Sequence, residues 1–219
     1  MYTAKNGAWA GGLREVLRRV YDPTTRRPVP WLVSGDAALA LQGVTIEPDC
    51  IEFRASSAVA TAYFAQFMRP HELPVHRAVV IYRRGSNVAP SESWRSNIHQ
   101  RAVQWQAGGK TTLLGRWQVD ERIVQISYVR SIHADPTALA FRSPIRRVPF
   151  EGMEVAVVPL EFLLAESALR NDTQLTHRIL HVLRTSGYSR SDLETALGVL
   201  PSEKASRLSR LVEFSLVAG

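Results

Sequence analysis

The amino-acid sequence predicts an α/β (α+β) fold, a mixed sheet flanked by helices with a helical C-terminal part. Three patterns indicate this class. An apolar run enters a glycine turn and an alanine-rich helix at residues 31–43. Alternating β-branched and aromatic residues predict a three-stranded meander between residues 102 and 129. Helical spacing dominates near the C-terminus, so we expect an α/β domain at residues 1–158 and a C-terminal helical region at residues 159–219.

Composition limits the possible functions. The chain of 219 residues carries a formal net charge of +7, mostly from arginine, and contains one cysteine. Arginine suits bidentate contacts with phosphate, so nucleotide or nucleic acid is a natural partner, and an arginine-rich surface that faces only solvent is the alternative. A single cysteine excludes an internal disulfide. Because the sequence lacks a signal pattern and an apolar run of membrane-spanning length, we predict a cytoplasmic protein without membrane contact.

The first elements follow from apolar spacing and helix breakers. Apolar residues recur at helical spacing over residues 9–20, and the proline-rich segment 22–30 cannot continue that helix. The apolar residues 31–33 predict a short buried strand. After a tight turn, Asp36 is placed to cap a helix that reaches Gln42 and stops at the next residue, a glycine.

A second strand and a second helix complete this part. The strand covers residues 50–54, and Cys50 and Glu52 share one of its faces because side chains alternate along a strand. A helix capped by Ser56 or Ser57 follows; it runs to Met68 and stops at Pro70. The β-branched residues at 78–82 predict a strand.

The remaining elements are a meander, a linker, a strand and several helices. The predicted meander strands are 102–106, 111–119 and 123–129, joined by turns at 107–110 and 120–121. Residues 131–150 are rich in proline and arginine and indicate a linker. A strand at 153–158 then leads to Pro159, a favoured first residue of a helix. The expected helices are 160–170, 173–185, one that begins at 189 or 191, and 203–217.

The strand, glycine turn, helix and second strand resemble the nucleotidyltransferase superfamily, in particular its small prokaryotic members, which include toxin-like ones. In that family a Gly-Ser pair follows the first strand, and an Asp-x-Asp motif lies on the second. Here Gly35-Asp36 stands where the Gly-Ser pair would be, and Cys50-Ile51-Glu52 stands where Asp-x-Asp would be. The stretch 155–164 is similar to the family's transition into its C-terminal helices.

The resemblance implies in-line attack on an α-phosphorus, assisted by two Mg²⁺ ions that converging carboxylates hold. Glu52 would be one ligand, helped by Asp49, although strand alternation directs Asp49 to the opposite face. Cys50 is a soft ligand that does not suit Mg²⁺. The third carboxylate of the family would be replaced by Gln125 or by Ser127, neither of which carries charge.

The phosphate-binding turn implied by the resemblance comprises Ser34, Gly35 and Asp36. A carboxylate at that helix N-terminus repels a triphosphate. The sequence therefore predicts a nucleotidyltransferase-fold pseudoenzyme with a degraded metal site, which binds nucleotide or nucleic acid and does not catalyse transfer. The first alternative is an active, metal-dependent enzyme of the toxin type that modifies RNA or protein and uses Glu52 as its principal metal ligand.

The second alternative is a basic module that binds single-stranded nucleic acid. Aromatic residues, among them Trp94, Trp105 and Trp117, are interleaved with arginines and either stack on bases or face the core. The arginines expected at such a surface are Arg95, Arg101, Arg116, Arg130, Arg170 and Arg178. His177 and His181 lack the further ligands of a zinc site and form, with Arg170, a candidate phosphate-binding stripe. A protein partner at the C-terminal helices is a further expectation.

Overall fold

A mixed sheet of seven strands forms the centre of the computed structural model, which describes residues 8–21, 30–74, 82, 86–131 and 135–217. The strands are β1 (Trp31–Ser34), β2 (Cys50–Ala55), β3 (Val103–Ala107), β4 (Lys110–Val119), β5 (Arg122–Ser131), β6 (Arg146–Phe150) and β7 (Met153–Val157). Their order across the sheet is β3-β4-β5-β2-β1-β7-β6. The pairs β1/β7 and β2/β5 are parallel, and the other neighbouring pairs are antiparallel.

Eight α-helices flank this sheet in the described part of the chain. They are α1 (Ala8–Val20), α2 (Gly35–Leu41), α3 (Ala58–Phe67), α4 (Pro136–Leu139), α5 (Leu160–Leu169), α6 (Thr173–Ser186), α7 (Arg190–Leu197) and α8 (Ser202–Val217). Two short 3-10 helices, Arg69–His71 and Ala140–Arg142, follow α3 and α4. The predicted class, a mixed sheet flanked by helices, is confirmed.

One face of the sheet is covered by α1 and α3. The β2 side chains on that face, such as Phe53, are fully buried, and Phe53 packs against Phe64 of α3 with ring centroids 4.9 Å apart. Trp117 of β4 lies on the same face and contacts Phe64 at 6.0 Å. The opposite face of β2 carries Cys50, Glu52 and Arg54, which remain partly exposed. We call this second face of the central strands the polar face.

The helix α5 is the centre of the C-terminal part. Its residues from Leu160 to Ala165 are buried, and it packs against α2, α4, α6, α7 and α8. A helix that is apolar on all sides is stable only when other elements surround it. One continuous apolar cluster joins these helices to the sheet. The division at residues 158 and 159 stays a prediction, and no described helix is long and apolar enough to cross a membrane.

The linker expected at 131–150 is wrong, because most of this segment is ordered structure. Asp135 accepts hydrogen bonds from the backbone of Thr137 and Ala138 and so caps α4. Residues Arg146–Phe150 form β6, an edge strand that pairs with β7. Proline is tolerated on an edge strand, since one side of that strand has no ladder to complete. The edge strand could therefore not be predicted from composition alone.

Two further expectations concern single elements. Helix α2 begins at Gly35, one residue earlier than predicted, and Asp36 is not its cap. The N-cap residue is Ser34, which makes no side-chain capping bond, and Asp36 lies in the first helical turn. The segment 22–29 and residues 78–81 of the predicted strand lie outside the described residues. The other predicted helices and strands are confirmed to within one or two residues.

Candidate functional site

Four polar side chains line up across the polar face. Ser34 at the end of β1 lies opposite Glu52 of β2, and Glu52 lies opposite Gln125 of β5. Gln125 in turn lies opposite Arg116 of β4. Residues that face each other on neighbouring strands project to the same side of a sheet. The register thus places Gln125, and not Ser127, beside the carboxyl group of Glu52.

The turn between β1 and α2 contacts Glu52 directly. Gly35 has a φ of +56°, a backbone conformation that favours glycine. A Cβ atom added to Gly35 would lie 2.9 Å from Oε2 of Glu52. The absence of a side chain at Gly35 therefore lets the carboxyl group rest against the backbone of the turn.

The Glu52 carboxyl group lies in a cluster of charges. Burial raises its pKa, as does the nearby carboxylate of Glu166 on α5, while Arg170 and Arg54 oppose the shift. Burial also raises the pKa of Asp36, and Arg170 again opposes it. The guanidinium of Arg170 donates a hydrogen bond of 2.6 Å to Glu166. A guanidinium ion, held at the end of α5, thus compensates the carboxylates on this part of the polar face. We use the word cleft below for the part of the polar face around Glu52, Cys50 and Arg95.

Cys50 lies on the same face, next to two arginines. Burial and the Glu52 carboxylate raise the pKa of its thiol to about 12, although Arg116 and Arg95 act in the opposite direction. The thiol is therefore neutral at physiological pH, and nucleophilic attack requires the thiolate. The guanidinium of Arg116 donates through Nε to Oε1 of Gln125 at 3.2 Å.

Backbone carbonyls of the loop before β3 orient both arginines. Arg116 donates to the carbonyls of Ser91 and Glu92 at 3.1 and 3.2 Å. Arg95 donates to the carbonyl of Trp94 at 2.9 Å and also to that of Glu92. Burial and the charge of Arg116 lower the pKa of Arg95. Within the described ranges neither guanidinium forms an ion pair with a carboxylate, so two positive charges remain uncompensated beside Cys50.

The residues present do not fit a pair of Mg²⁺ ions. No group of three or more His, Cys, Asp or Glu side chains in the described part of the chain converges on one point. Asp49 precedes β2, its side chain is fully exposed, and its carboxylate lies 3.9 Å from Nη1 of Arg122. On the sheet Glu52 has a neutral thiol and an amide as neighbours, and Arg170 compensates the carboxylates of Asp36 and Glu166, whereas Mg²⁺ requires several hard oxygen ligands in octahedral geometry.

The six arginines expected at a nucleic-acid surface do not form one patch. Arg95 and Arg116 are neighbours, whereas Arg101 is ion-paired with Glu72 at 2.7 Å. Arg130 is exposed near the end of β5. Arg170 is paired with Glu166 as described above, and Arg178 donates to the carbonyl of Thr45 at 3.4 Å.

Two of the tryptophans considered for base stacking are buried. Trp117 lies beneath α3, and Trp94 packs in a small apolar cluster with Val103 and Leu114. Stacking on bases by Trp94 and Trp117 is therefore excluded in this conformation, because their rings are already covered. The interpretation that they face the core is confirmed.

Arg54 is a residue of the polar face that the sequence reasoning missed. Its guanidinium donates to Oγ1 of Thr137 at 2.7 Å and lies 3.5 Å from a carboxylate oxygen of Asp135. It thus attaches the start of α4 to the sheet two residues beyond Glu52. The order Asp135-Pro136 was an available signal, since a capping residue followed by proline is typical of a helix start. Glu166 was missed as well, and no pattern in the sequence indicates that it lies near Glu52.

No protein-family model matches the sequence, and no curated protein matches it. Among solved structures, the chain is similar to the crystal structure of a "putative nucleotidyltransferase" from Thermotoga maritima. The TM-score is 0.52 with 18% sequence identity, over 81% of this chain and 96% of that chain. At this identity the similarity shows the fold alone. The fold is nucleotidyltransferase-like, which confirms that part of the resemblance seen in the sequence.

Proposed function

We propose that this protein binds a nucleotide, free or as a unit of nucleic acid, in the cleft of the polar face without transferring it. The observation that carries the proposal is the pair of guanidinium groups, Arg95 and Arg116, that lies uncompensated beside Cys50. In the family that the sequence resembles, carboxylates and metal ions belong at this place.

The replacement of carboxylates and metal ions by guanidinium groups favours direct binding of phosphate. The amide of Gln125 accepts a hydrogen bond from Arg116 and so keeps a permanent positive charge at the position of the third carboxylate. A guanidinium binds phosphate oxygens in a bidentate manner and needs no metal to do so. We infer that arginine, and not Mg²⁺, neutralises the phosphate of the ligand.

The same replacement removes the metal ligands that nucleotidyl transfer needs. In-line displacement at phosphorus relies on two metal ions that clamp the attacking and the leaving oxygen. Glu52, whose pKa burial raises, and the carboxylates of Asp36 and Glu166, which Arg170 compensates, are a poor substitute for such a clamp. Glu52 keeps the capacity to accept a hydrogen bond from a sugar or a base. On this basis the protein is a pseudoenzyme.

The proposal is tested by isothermal titration calorimetry with each of the four ribonucleoside triphosphates, with and without Mg²⁺. We expect at least one to bind equally well without the metal. Arg95→Gln should weaken that binding about 10-fold or more, since a hydrogen bond to a charged group contributes roughly 1.5–3 kcal/mol.

The matched control is Arg18→Gln, which removes the same charge from an exposed position on α1. Equal weakening in both variants would show a general charge effect and no cleft contact. Absence of binding for all four nucleotides would contradict the proposal.

An active transferase of the toxin type is the second candidate. It is favoured by one observation: among the described residues no hydrogen-bond donor occupies the carboxylate of Glu52, which leaves its oxygens available to a metal ion. On this reading wild-type protein transfers a nucleotide to RNA or protein, and Glu52→Ala abolishes the reaction. If the metal site is instead degraded, as in the first proposal, Cys50→Asp/Gln125→Glu should gain affinity for Mn²⁺, measured as a Tm that rises with Mn²⁺ concentration, and no gain would count against the alignment of these two positions.

A further inference from the structure

The outward face of α6 carries a cluster of basic side chains. The helix has 14 residues and contains no acidic side chain. His177, Arg178, His181 and Arg184 are exposed on it, and we call these four residues the α6 stripe. They share one side of the helix because residues three and four apart are neighbours on a helical surface. Ile179, Leu180 and Leu183 on the opposite side are buried and hold the helix in place.

The α6 stripe has no acidic partners among the described residues, unlike several other arginines at or near helices. Arg19, Arg170 and Arg190 each pair with a glutamate four residues earlier or later, at 2.7, 2.6 and 2.9 Å. Across the described ranges no carboxylate pairs with a member of the stripe. Within it, Nδ1 of His181 lies 3.5 Å from a guanidinium nitrogen of Arg184. The charges of Arg178 and Arg184, which no carboxylate in the described part of the chain opposes, are therefore available to an anionic ligand.

The stripe also lies close to the cleft. Arg178 donates to the carbonyl of Thr45, in the connection between α2 and β2. Arg170, just before α6, interacts electrostatically with Glu52 and Asp36 at the cleft itself. From His177 to Arg184 the helix rises about 10 Å, at 1.5 Å per residue. That length matches roughly three phosphates of a stacked strand, at 3.4 Å each.

The chemistry of the stripe favours nucleic acid over the other anionic partners. A membrane-binding helix presents large apolar side chains beside its basic ones. The large apolar side chains that are exposed in the described residues lie outside α6: Val59, Tyr63, Val88, Ile98, Tyr188 and Phe214. A protein interface likewise needs an apolar centre, whereas a contact with a phosphodiester backbone is polar and strongly basic.

We propose that the α6 stripe binds the phosphodiester backbone of a nucleic acid. A strand seated there leads to the cleft, so one of its nucleotides occupies the site near Arg95, a detail that rests on the proposed function. The stripe makes phosphate contacts only and carries no base specificity.

Fluorescence anisotropy with three labelled probes tests this inference: a 12-nucleotide RNA, the same sequence as single-stranded DNA, and its duplex, each across a range of KCl concentrations. We expect at least one to bind. Arg178→Gln/Arg184→Gln should reduce its affinity about 10-fold or more at 0.1 M salt. For a single strand, the slope of log affinity against log salt should fall by about 1.4, since each lost phosphate contact contributes about 0.7.

Two further variants separate charge from structure. Arg178→Lys/Arg184→Lys keeps the charges and should retain most of the affinity. Arg18→Gln/Arg210→Gln removes two exposed charges from α1 and α8 and should stay within twofold of wild type. Equal losses in the two glutamine variants would overturn the inference. Failure to bind any of the three nucleic acids would also overturn the inference. Binding to anionic lipid vesicles alone would count as such a failure.

The outcome is independent of the cleft. Mononucleotide binding should be unchanged by Arg178→Gln/Arg184→Gln and reduced by Arg95→Gln. Loss of oligonucleotide affinity in the stripe variant supports binding of nucleic acid by the α6 stripe, even if no mononucleotide binds and the proposed function fails. Unchanged oligonucleotide affinity in the stripe variant refutes the stripe and leaves the cleft proposal standing.

Discussion

At the scale of single residues, Glu52 shows how burial decides the chemistry of this cleft. Its carboxyl group has a raised pKa, first because it is buried and then because Glu166 lies near. A raised pKa in the folded state means that the unfolded chain loses the proton at lower pH. Ionisation of Glu52 therefore destabilises the fold above the ordinary carboxyl pKa, and this penalty vanishes below it.

We expect Glu52→Gln to raise the free energy of unfolding by about 1 kcal/mol at pH 7.5, within the usual range for relief of an unfavourable site. The gain should disappear near pH 4, where the carboxyl group is protonated in both states. Urea unfolding at the two pH values measures it. Glu121→Gln, at an exposed turn, is the control and should change little. A loss of stability at pH 7.5 would mean that Arg170 and Arg54 outweigh burial.

At the scale of elements, the turn between β1 and α2 depends on a glycine for two separate reasons. Gly35 has a positive φ, and its missing Cβ leaves space for the carboxyl group of Glu52. Gly43, at the other end of α2, has a φ of +95°, but the nearest atom to an added Cβ is 4.0 Å away on Val182. The two glycines therefore allow backbone strain to be separated from steric contact.

Gly43→Ala should cost about 1 kcal/mol, the penalty of the backbone conformation alone. Gly35→Ala should cost about 3 kcal/mol, because the clash with Glu52 adds to that penalty. In Gly35→Ala/Glu52→Ala the added part should be recovered, which a double-mutant cycle by urea unfolding detects. Equal costs for the two single variants would contradict the close contact between Gly35 and Glu52.

At the scale of the whole molecule, a buried carboxylate connects three elements. Glu161, in the first turn of α5, is fully buried. Its Oε1 accepts hydrogen bonds from the backbone N–H of Ser189 at 2.7 Å and from Arg146 of β6 at 3.3 Å. Ser189 is the N-cap residue of α7. The edge strand, the central helix and a C-terminal helix therefore share one anchoring group.

Glu161→Ala should destabilise the protein by about 2 kcal/mol, because it leaves the backbone N–H of Ser189 and the partly exposed guanidinium of Arg146 without their acceptor. Glu194→Ala breaks an exposed pair with Arg190 on α7 and should cost less than about 0.5 kcal/mol. Thermal and urea unfolding measure both. If Glu161→Ala behaves like Glu194→Ala, the proposed coupling between β6, α5 and α7 is wrong.

The amino-acid sequence predicts the class of fold, most elements and the shared face of Cys50 and Glu52. These depend on strand alternation, helical spacing and turn residues, which are properties of neighbours along the chain. The sequence did not reveal β6 and α4, because their proline- and arginine-rich composition is also typical of a linker.

The surroundings of Glu52 depend on tertiary contacts. Gln125 reaches it through the register of β2 with β5, and Arg170 reaches it through the packing of α5. The loop that orients Arg95 and Arg116 lies between distant elements. Such positions depend on contacts between segments far apart in sequence, and no local periodicity encodes them. The charges of the cleft therefore follow from the assembled fold, while its strands follow from the sequence.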